Sequence, residues 1–156
     1  MLQRIQSLLL LLSGIGMFVF LGTNSWEKSG ADGSRVIVNP YHVVELKGTL
    51  AVQDQPIYYI AVLAVLSAGV SLFSIFQYKN RVRQMLLVAL NSLFMGLAIG
   101  LTIYQIKYVA MPLGESGDGT FGIGVWAGFF ALLANWVANR AIRRDEKLVK
   151  DADRMR

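Results

Sequence analysis

Four apolar blocks, residues 5–22, 58–76, 85–104 and 122–141, divide the chain, and polar connections marked by glycine and proline separate them. Each block approaches or reaches the roughly 20 apolar residues that a helix needs to cross a bilayer. The pattern predicts an all-α membrane protein: a single domain over residues 1–156, built as a four-transmembrane-helix antiparallel bundle. A basic start before an apolar core also describes a signal peptide, but the core of the first block is long for one, so the segment is expected to be retained as a span. Only residues 77–84 join the second and third blocks, which makes them antiparallel neighbours.

The outer loop, residues 24–56, has a different texture, punctuated by Gly30, Gly33, Pro40, Gly48 and Pro56. Within it, residues 35–39 and 41–47 are β-branched and aromatic runs flanking an Asn39–Pro40 turn signal. They predict a small β-sheet of two or three strands in the first extracytoplasmic loop, held by packing on the helix ends because an isolated hairpin is marginal in water. The second outer connection, residues 106–121, carries Gly114, Gly117 and Gly119 and reads as a mobile link. The fourth block continues without a helix breaker into a charged tail, residues 142–156, predicted as a cytoplasmic C-terminal helix extension.

Composition supports the membrane reading: 54% of residues are hydrophobic and 16% charged, and the mean hydropathy is positive, outside the usual range of soluble domains. The absence of cysteine removes disulfide frameworks, cysteine-ligated metals and thiol chemistry, and a single histidine leaves few metal schemes. The net charge of +5 is distributed in a way that sets orientation. Eleven of the fifteen Lys and Arg precede the first block, lie between the second and third, or follow the core of the fourth. Basic residues resist translocation, so both termini are predicted cytoplasmic. Trp26, Tyr58, Tyr59, Tyr104 and Tyr108 are expected at the outer headgroup level, Tyr78 and Trp136 at the inner one.

Short of Arg140 at its inner border, the spans hold no acid, base or histidine. Proton relays, carboxylate ion sites and intramembrane proteases need ionisable groups at that depth. What remains is neutral: Ser67, Ser71, Asn91 and Asn135 are the intramembrane polar candidates, and the two amides are expected to face the bundle interior or another subunit. Gly96 with Gly100, and Gly124 with Gly128, have the four-residue spacing that lets helix backbones approach closely, either within the bundle or against a partner. Gly14 and Gly16 lack that spacing and are expected to lend flexibility to the first helix. His42 shares the outer loop with Glu27, Asp32, Glu45 and Asp54, and an acid–base or metal role there requires it to cluster with two of them. In the tail, Arg140, Arg143 and Arg144 are expected to anchor on headgroups, while Lys147, Leu148, Ala152 and Met155 offer a surface to a cytoplasmic partner. The acids Asp145, Glu146, Asp151 and Asp153 interrupt any phosphate-tracking surface, so nucleic acid is not expected.

Two strings carry a resemblance: residues 1–8, MLQRIQSL, and residues 138–150, ANRAIRRDEKLVK, followed by Ala152, Asp153 and Arg154. They resemble the two ends of an uncharacterised family of small four-span inner-membrane proteins of Bacteroidota, known as a domain of unknown function. The resemblance implies a four-helix integral protein of the cytoplasmic membrane and brings no activity, cofactor or catalytic residue with it. The layout is also similar to claudin-like four-helix proteins, although the disulfide and tryptophan pattern of that group is missing. The resulting expectation is a non-catalytic accessory or scaffold subunit, with no cofactor or metal, whose partners are membrane lipid and either another membrane protein or a second copy of the chain. The alternative is a small transporter, channel or lipid-binding protein in which Ser67, Ser71, Asn91 and Asn135 line one open neutral polar cleft.

Overall fold

A computed structural model describes residues 2–30, 33–78, 80–113 and 119–154. Four helices, α1 (Leu2–Gly22), α2 (Tyr58–Phe76), α3 (Arg81–Gln105) and α4 (Ile123–Arg154), are joined by strands β1 (Trp26–Ser29), β2 (Ser34–Val38), β3 (His42–Lys47), β4 (Leu50–Pro56) and β5 (Thr120–Phe121). α2 begins and ends where its apolar block does. α3 starts four residues ahead of its block because Asn80 caps it: the Asn80 side chain accepts from the Arg83 backbone N–H at 3.3 Å. Beyond Gln105 the chain continues as a π-helical turn, Ile106–Ala110, so the second connection opens as helix.

Each helix packs on two neighbours, giving the ring order α1, α2, α3, α4. Residue pairs along the interfaces run in opposite directions. Gln6 meets Asp145 near one end of α1, Gly16 meets Ala131 midway, and Asn24, just past the other end, lies against Gly124. Three segments, Ile5–Gly22, Tyr58–Phe76 and Arg81–Ala110, are long and apolar enough to cross a membrane. α4 is less apolar because Asn135, Asn139 and Arg140 interrupt it.

Polarity is inverted relative to a water-soluble bundle. Ser13, Ser67, Ser71, Ser74, Asn91, Thr102 and Asn135 are buried, while Leu8, Phe18, Val65, Phe73, Leu93, Trp126 and Leu133 are exposed. A surface of this kind is stable where the surroundings are hydrocarbon.

The strands form one antiparallel sheet in the order β4-β3-β2-β1-β5, larger than the two or three strands expected. The Asn39 side chain builds the β2–β3 turn, accepting from the backbone N–H of Tyr41 at 2.9 Å and of His42 at 2.8 Å, the usual way an Asn closes a turn. Gly48, with φ of +62°, turns β3 into β4. The fifth strand arises in the second connection, expected to be a mobile link: Thr120 and Phe121 pair with Glu27 and Trp26. That pairing needs glycine on either side. A Cβ at Gly119 would lie 1.9 Å from the Trp26 indole, and one at Gly122 would lie 2.3 Å from the Asn24 carbonyl oxygen. Gly114 and Gly117 fall outside the described residues.

Alternation turns Trp26, Val36, Val38 and Val43 inward onto Phe20, Leu21, Ile60, Ile106 and Ala110, in one core shared by sheet and helices. Trp26 is therefore buried, not a headgroup anchor. Tyr58, Tyr59, Tyr104 and Tyr108 are exposed at the sheet end, and Tyr78 and Trp136 at the tail end. Lys28 is also drawn inward, its ammonium donating to the carbonyls of Met111 and Leu113 at 3.2 Å each. It thereby satisfies acceptors that the end of the π-helical turn leaves open.

Candidate functional site

Four helices each contribute to one polar layer in the bundle interior. From α3, the Asn91 amide nitrogen donates to the Ser71 hydroxyl of α2 at 2.7 Å and to the Asn135 carbonyl oxygen of α4 at 3.0 Å. The Asn135 amide nitrogen in turn donates to the Val88 carbonyl at 2.9 Å and the Ser92 hydroxyl at 2.8 Å, both on α3. Ser13 of α1 closes the layer, 3.4 Å from the Ser71 hydroxyl. Among the described residues, Ser67, one turn from Ser71, is buried with no partner for its hydroxyl, and the Asn91 carbonyl oxygen is likewise without one.

The structure brings Ser71, Asn91 and Asn135 into direct contact, and all three, with Ser67, are fully buried. They converge on a closed interior and not on an open cleft. Their hydrogen bonds run mostly between helices, which places this layer as a clamp across the ring. Ser13, Ser92 and the Val88 carbonyl belong to the same network. Asn91 and Ser92 are adjacent on α3 and do not share a helix face, so only the folded ring shows that both, with Ser13, join one layer.

The glycines divide into two groups. At Gly124 and Gly128 a Cβ would meet the Asn24 carbonyl oxygen at 3.0 Å and Ile99 Cγ1 at 3.2 Å respectively, so both are consumed by packing inside the bundle. Gly124 packs on the link between α1 and β1, and Gly128 sits between α3 and Phe20 of α1. Gly16, expected to give flexibility, is a tight contact instead. Its Cβ would lie 2.9 Å from Ala131 Cβ and 3.1 Å from the Ala127 carbonyl oxygen. Gly14 faces Leu72 at 3.5 Å. By contrast, a Cβ on Gly96 or Gly100 would meet nothing within 4 Å. That pair lies open on the outer side of α3, between the exposed Leu93, Leu97 and Tyr104.

His42 pairs with one carboxylate. Its Nδ1 lies 2.7 Å from Asp54 Oδ1, and its ring stands edge-on to Tyr58 at 4.8 Å between centroids. Glu27 accepts from the Asn24 amide at 2.7 Å on another part of the sheet, Glu45 is buried on the inner face, and Asp32 lies outside the described residues. Among the described residues, the second carboxylate that acid–base or metal chemistry requires is not beside His42. Among the described residues no group of three His, Asp or Glu gathers at one point.

In the tail, Arg140, Arg143, Arg144, Lys147 and Leu148 are all exposed, and Ile142 is buried against Leu10 and Val88. Asp145 accepts from the Gln6 side chain and holds the start of α1 to α4. Trp136, Asn139, Arg140 and Arg143 line a cavity of about 280 Å³ on this part of α4. Ala152 is helical, its side chain outside the described residues, as is the whole of Met155.

The family described as a domain of unknown function, DUF4293, matches residues 2–155, and the chain belongs to it. No curated protein matches the chain.

Proposed function

We propose that the protein is a four-span membrane subunit, its sheet outside and both termini cytoplasmic, that binds another membrane protein and catalyses no reaction itself. The fourth span is supported by the pairing of α4 with α1. Gln6 with Asp145, Gly16 with Ala131 and Asn24 with Gly124 run the length of α1, so α4 lies at the same depth as a helix apolar enough to cross. α4 also exposes Trp126, Phe130 and Leu133, as α1 exposes Leu8, Ile15 and Phe18. Orientation follows from the Lys and Arg excess at the tail end. The bacterial inner membrane is the setting this distribution fits.

Partner binding is carried by one observation, the open Gly96 and Gly100 face. Gly124 is filled by the link between α1 and β1 and Gly128 by Ile99 and Phe20, whereas this pair presents backbone to the outside at the spacing that seats a second helix. The interior argues in the same direction. The neutral side chains that a transport cleft would need are buried and hold helices together, and no charged group lies among them.

The experiment is mild extraction at native abundance with a tag after Arg156, followed by mass spectrometry of what co-purifies. A stoichiometric membrane partner, or a second copy of the chain, lost on Gly96→Ile or Gly100→Ile and retained on Leu66→Ala is the expected result. Recovery of the protein alone, from wild type and variants alike, would overturn the accessory reading.

A further inference from the structure

We infer that the seam between α1 and α4 carries a site for one lipid of the outer leaflet, an acyl chain lying in an apolar groove and a headgroup with a primary ammonium held by Glu27. The inference goes beyond partner binding and rests on the four-span reading above for the assignment to that leaflet.

The groove follows from how the two helices touch. Gly16 brings α1 so near α4 that a Cβ there would lie 2.9 Å from Ala131 Cβ and 3.1 Å from the Ala127 carbonyl oxygen. That small-residue contact forms a low floor. Larger side chains rise beside it, Leu12, Ile15 and Val19 from α1 and Trp126 and Phe130 from α4, around a groove of about 390 Å³. Tall walls hold another helix backbone away from this floor, because close approach needs small residues at the contact surface. In this the seam differs from the open Gly96 and Gly100 face of α3. A single unbranched hydrocarbon chain needs no such approach and buries its length against the apolar walls.

The same seam ends in a polar hollow. One turn beyond Val19, the chain leaves α1, and Thr23, Asn24, Glu27 and Thr120 line a hollow of about 420 Å³ that shares Ile123 with the groove. The C-terminus of α1 and the N-terminus of α4 flank it with partial charges of opposite sign. At the start of α4 the Gly122 and Gly124 N–H groups already donate to the Ser25 and Asn24 carbonyls. Glu27 therefore sets the charge of the hollow. One of its carboxylate oxygens accepts from the Asn24 amide at 2.7 Å, yet Glu27 is exposed and, among the described residues, forms no ion pair. Lys28, next in sequence, alternates to the other face of β1, where it donates to the Met111 and Leu113 carbonyls.

A carboxylate at the mouth of an apolar groove selects an amphiphile whose polar end is cationic. A primary ammonium brings three N–H donors, which Glu27 and the hydroxyl oxygens of Thr23 and Thr120 are able to accept. A choline nitrogen bears only methyl groups, and a glycerol headgroup carries no positive charge. No Lys or Arg lines the hollow, so an anionic headgroup gains nothing there. Trp126, one turn inward from Ile123, is exposed and its indole suits the boundary between headgroup and chain.

The test is native mass spectrometry of the full chain in detergent with phosphatidylethanolamine, phosphatidylglycerol or phosphatidylcholine of identical chains. Wild type should retain the ethanolamine lipid about threefold or more over the other two. Glu27→Gln should abolish that preference while leaving chain-dependent retention. Asp54→Asn, which removes the same charge at the far edge of the sheet, should change the preference less than twofold. Ala127→Phe fills the groove and should lower retention of all three lipids, and Val19→Phe fills it from the opposite wall should the first variant not fold. Val62→Phe, on the exposed surface of α2, should leave retention within twofold of wild type. Equal retention of the three lipids, equal effects of Glu27→Gln and Asp54→Asn, or groove variants that retain lipid as wild type does would each overturn the site.

A separate labelling experiment distinguishes failure of the site from failure of the four-span reading. The chain has no cysteine, so Leu50→Cys and Leu148→Cys report topology without background. Opposite-side labelling of the two supports the spans whatever the lipid result, and same-side labelling overturns the assignment to the outer leaflet.

Discussion

Asn91 of α3 and Asn135 of α4 share a hydrogen bond of 3.0 Å at the centre of the ring, 44 residues apart in sequence. Each amide nitrogen donates twice, so each side chain ties its own helix to neighbours. Asn91→Leu leaves the Asn135 carbonyl oxygen without its donor, Asn135→Leu removes one of the two acceptors of the Asn91 amide nitrogen, and each is expected to destabilise the bundle by about 1–2 kcal/mol. Because the partner is already lost, the double variant should cost less than the sum of the singles, by about 0.6–1.7 kcal/mol. Denaturant unfolding in detergent gives all three values, and strictly additive costs would show that the bond contributes nothing.

Gly16 and Gly96 are both helical glycines, yet substitution should act on them in opposite ways. Gly16→Val pushes against Ala131 and the Ala127 backbone, and overpacking of this kind costs about 1–3 kcal/mol. Gly96→Ala meets open space and should leave stability unchanged or raise it by up to about 1 kcal/mol. Thermal unfolding of the two variants side by side decides it. Equal losses would mean that α1 and α4 are not in close contact at Gly16.

Gly119→Ala should separate β5 from β1, because the new methyl would occupy the position of the Trp26 indole. The expected readout is faster amide exchange at Phe121 and Trp26, with the helical amides of α2 unaffected. Unchanged exchange would place the Trp26 side chain elsewhere.

Lys28→Met keeps an apolar stem of similar reach but removes the ammonium that caps the Met111 and Leu113 carbonyls. Hydrogen bonds from a charged donor contribute about 1.5–3 kcal/mol, and the loss should appear as faster exchange in the turn at residues 109–113. If exchange there is the same as in wild type, the sheet is not fastened to the π-helical turn through this lysine.

The apolar blocks, the strand runs around Asn39 and the positions of the buried amides were legible in the chain because each depends on neighbours a few residues away. Twenty uncharged residues make a helix in a bilayer whatever surrounds them, and a polar side chain within such a run must turn inward. The start of α3 could also have been read from Asn80, whose cap lies three residues from the N–H it serves. β5, the burial of Trp26 and the Gly16–Ala131 contact were not legible. Each joins residues about a hundred apart, and nothing local to Thr120 or Gly16 signals its partner. The glycine pairs show the same division: Gly96–Gly100 and Gly124–Gly128 have identical spacing, and only the ring order of the helices decided that one pair is filled by the chain and the other left open, since spacing governs how closely helices can approach but not which helix arrives.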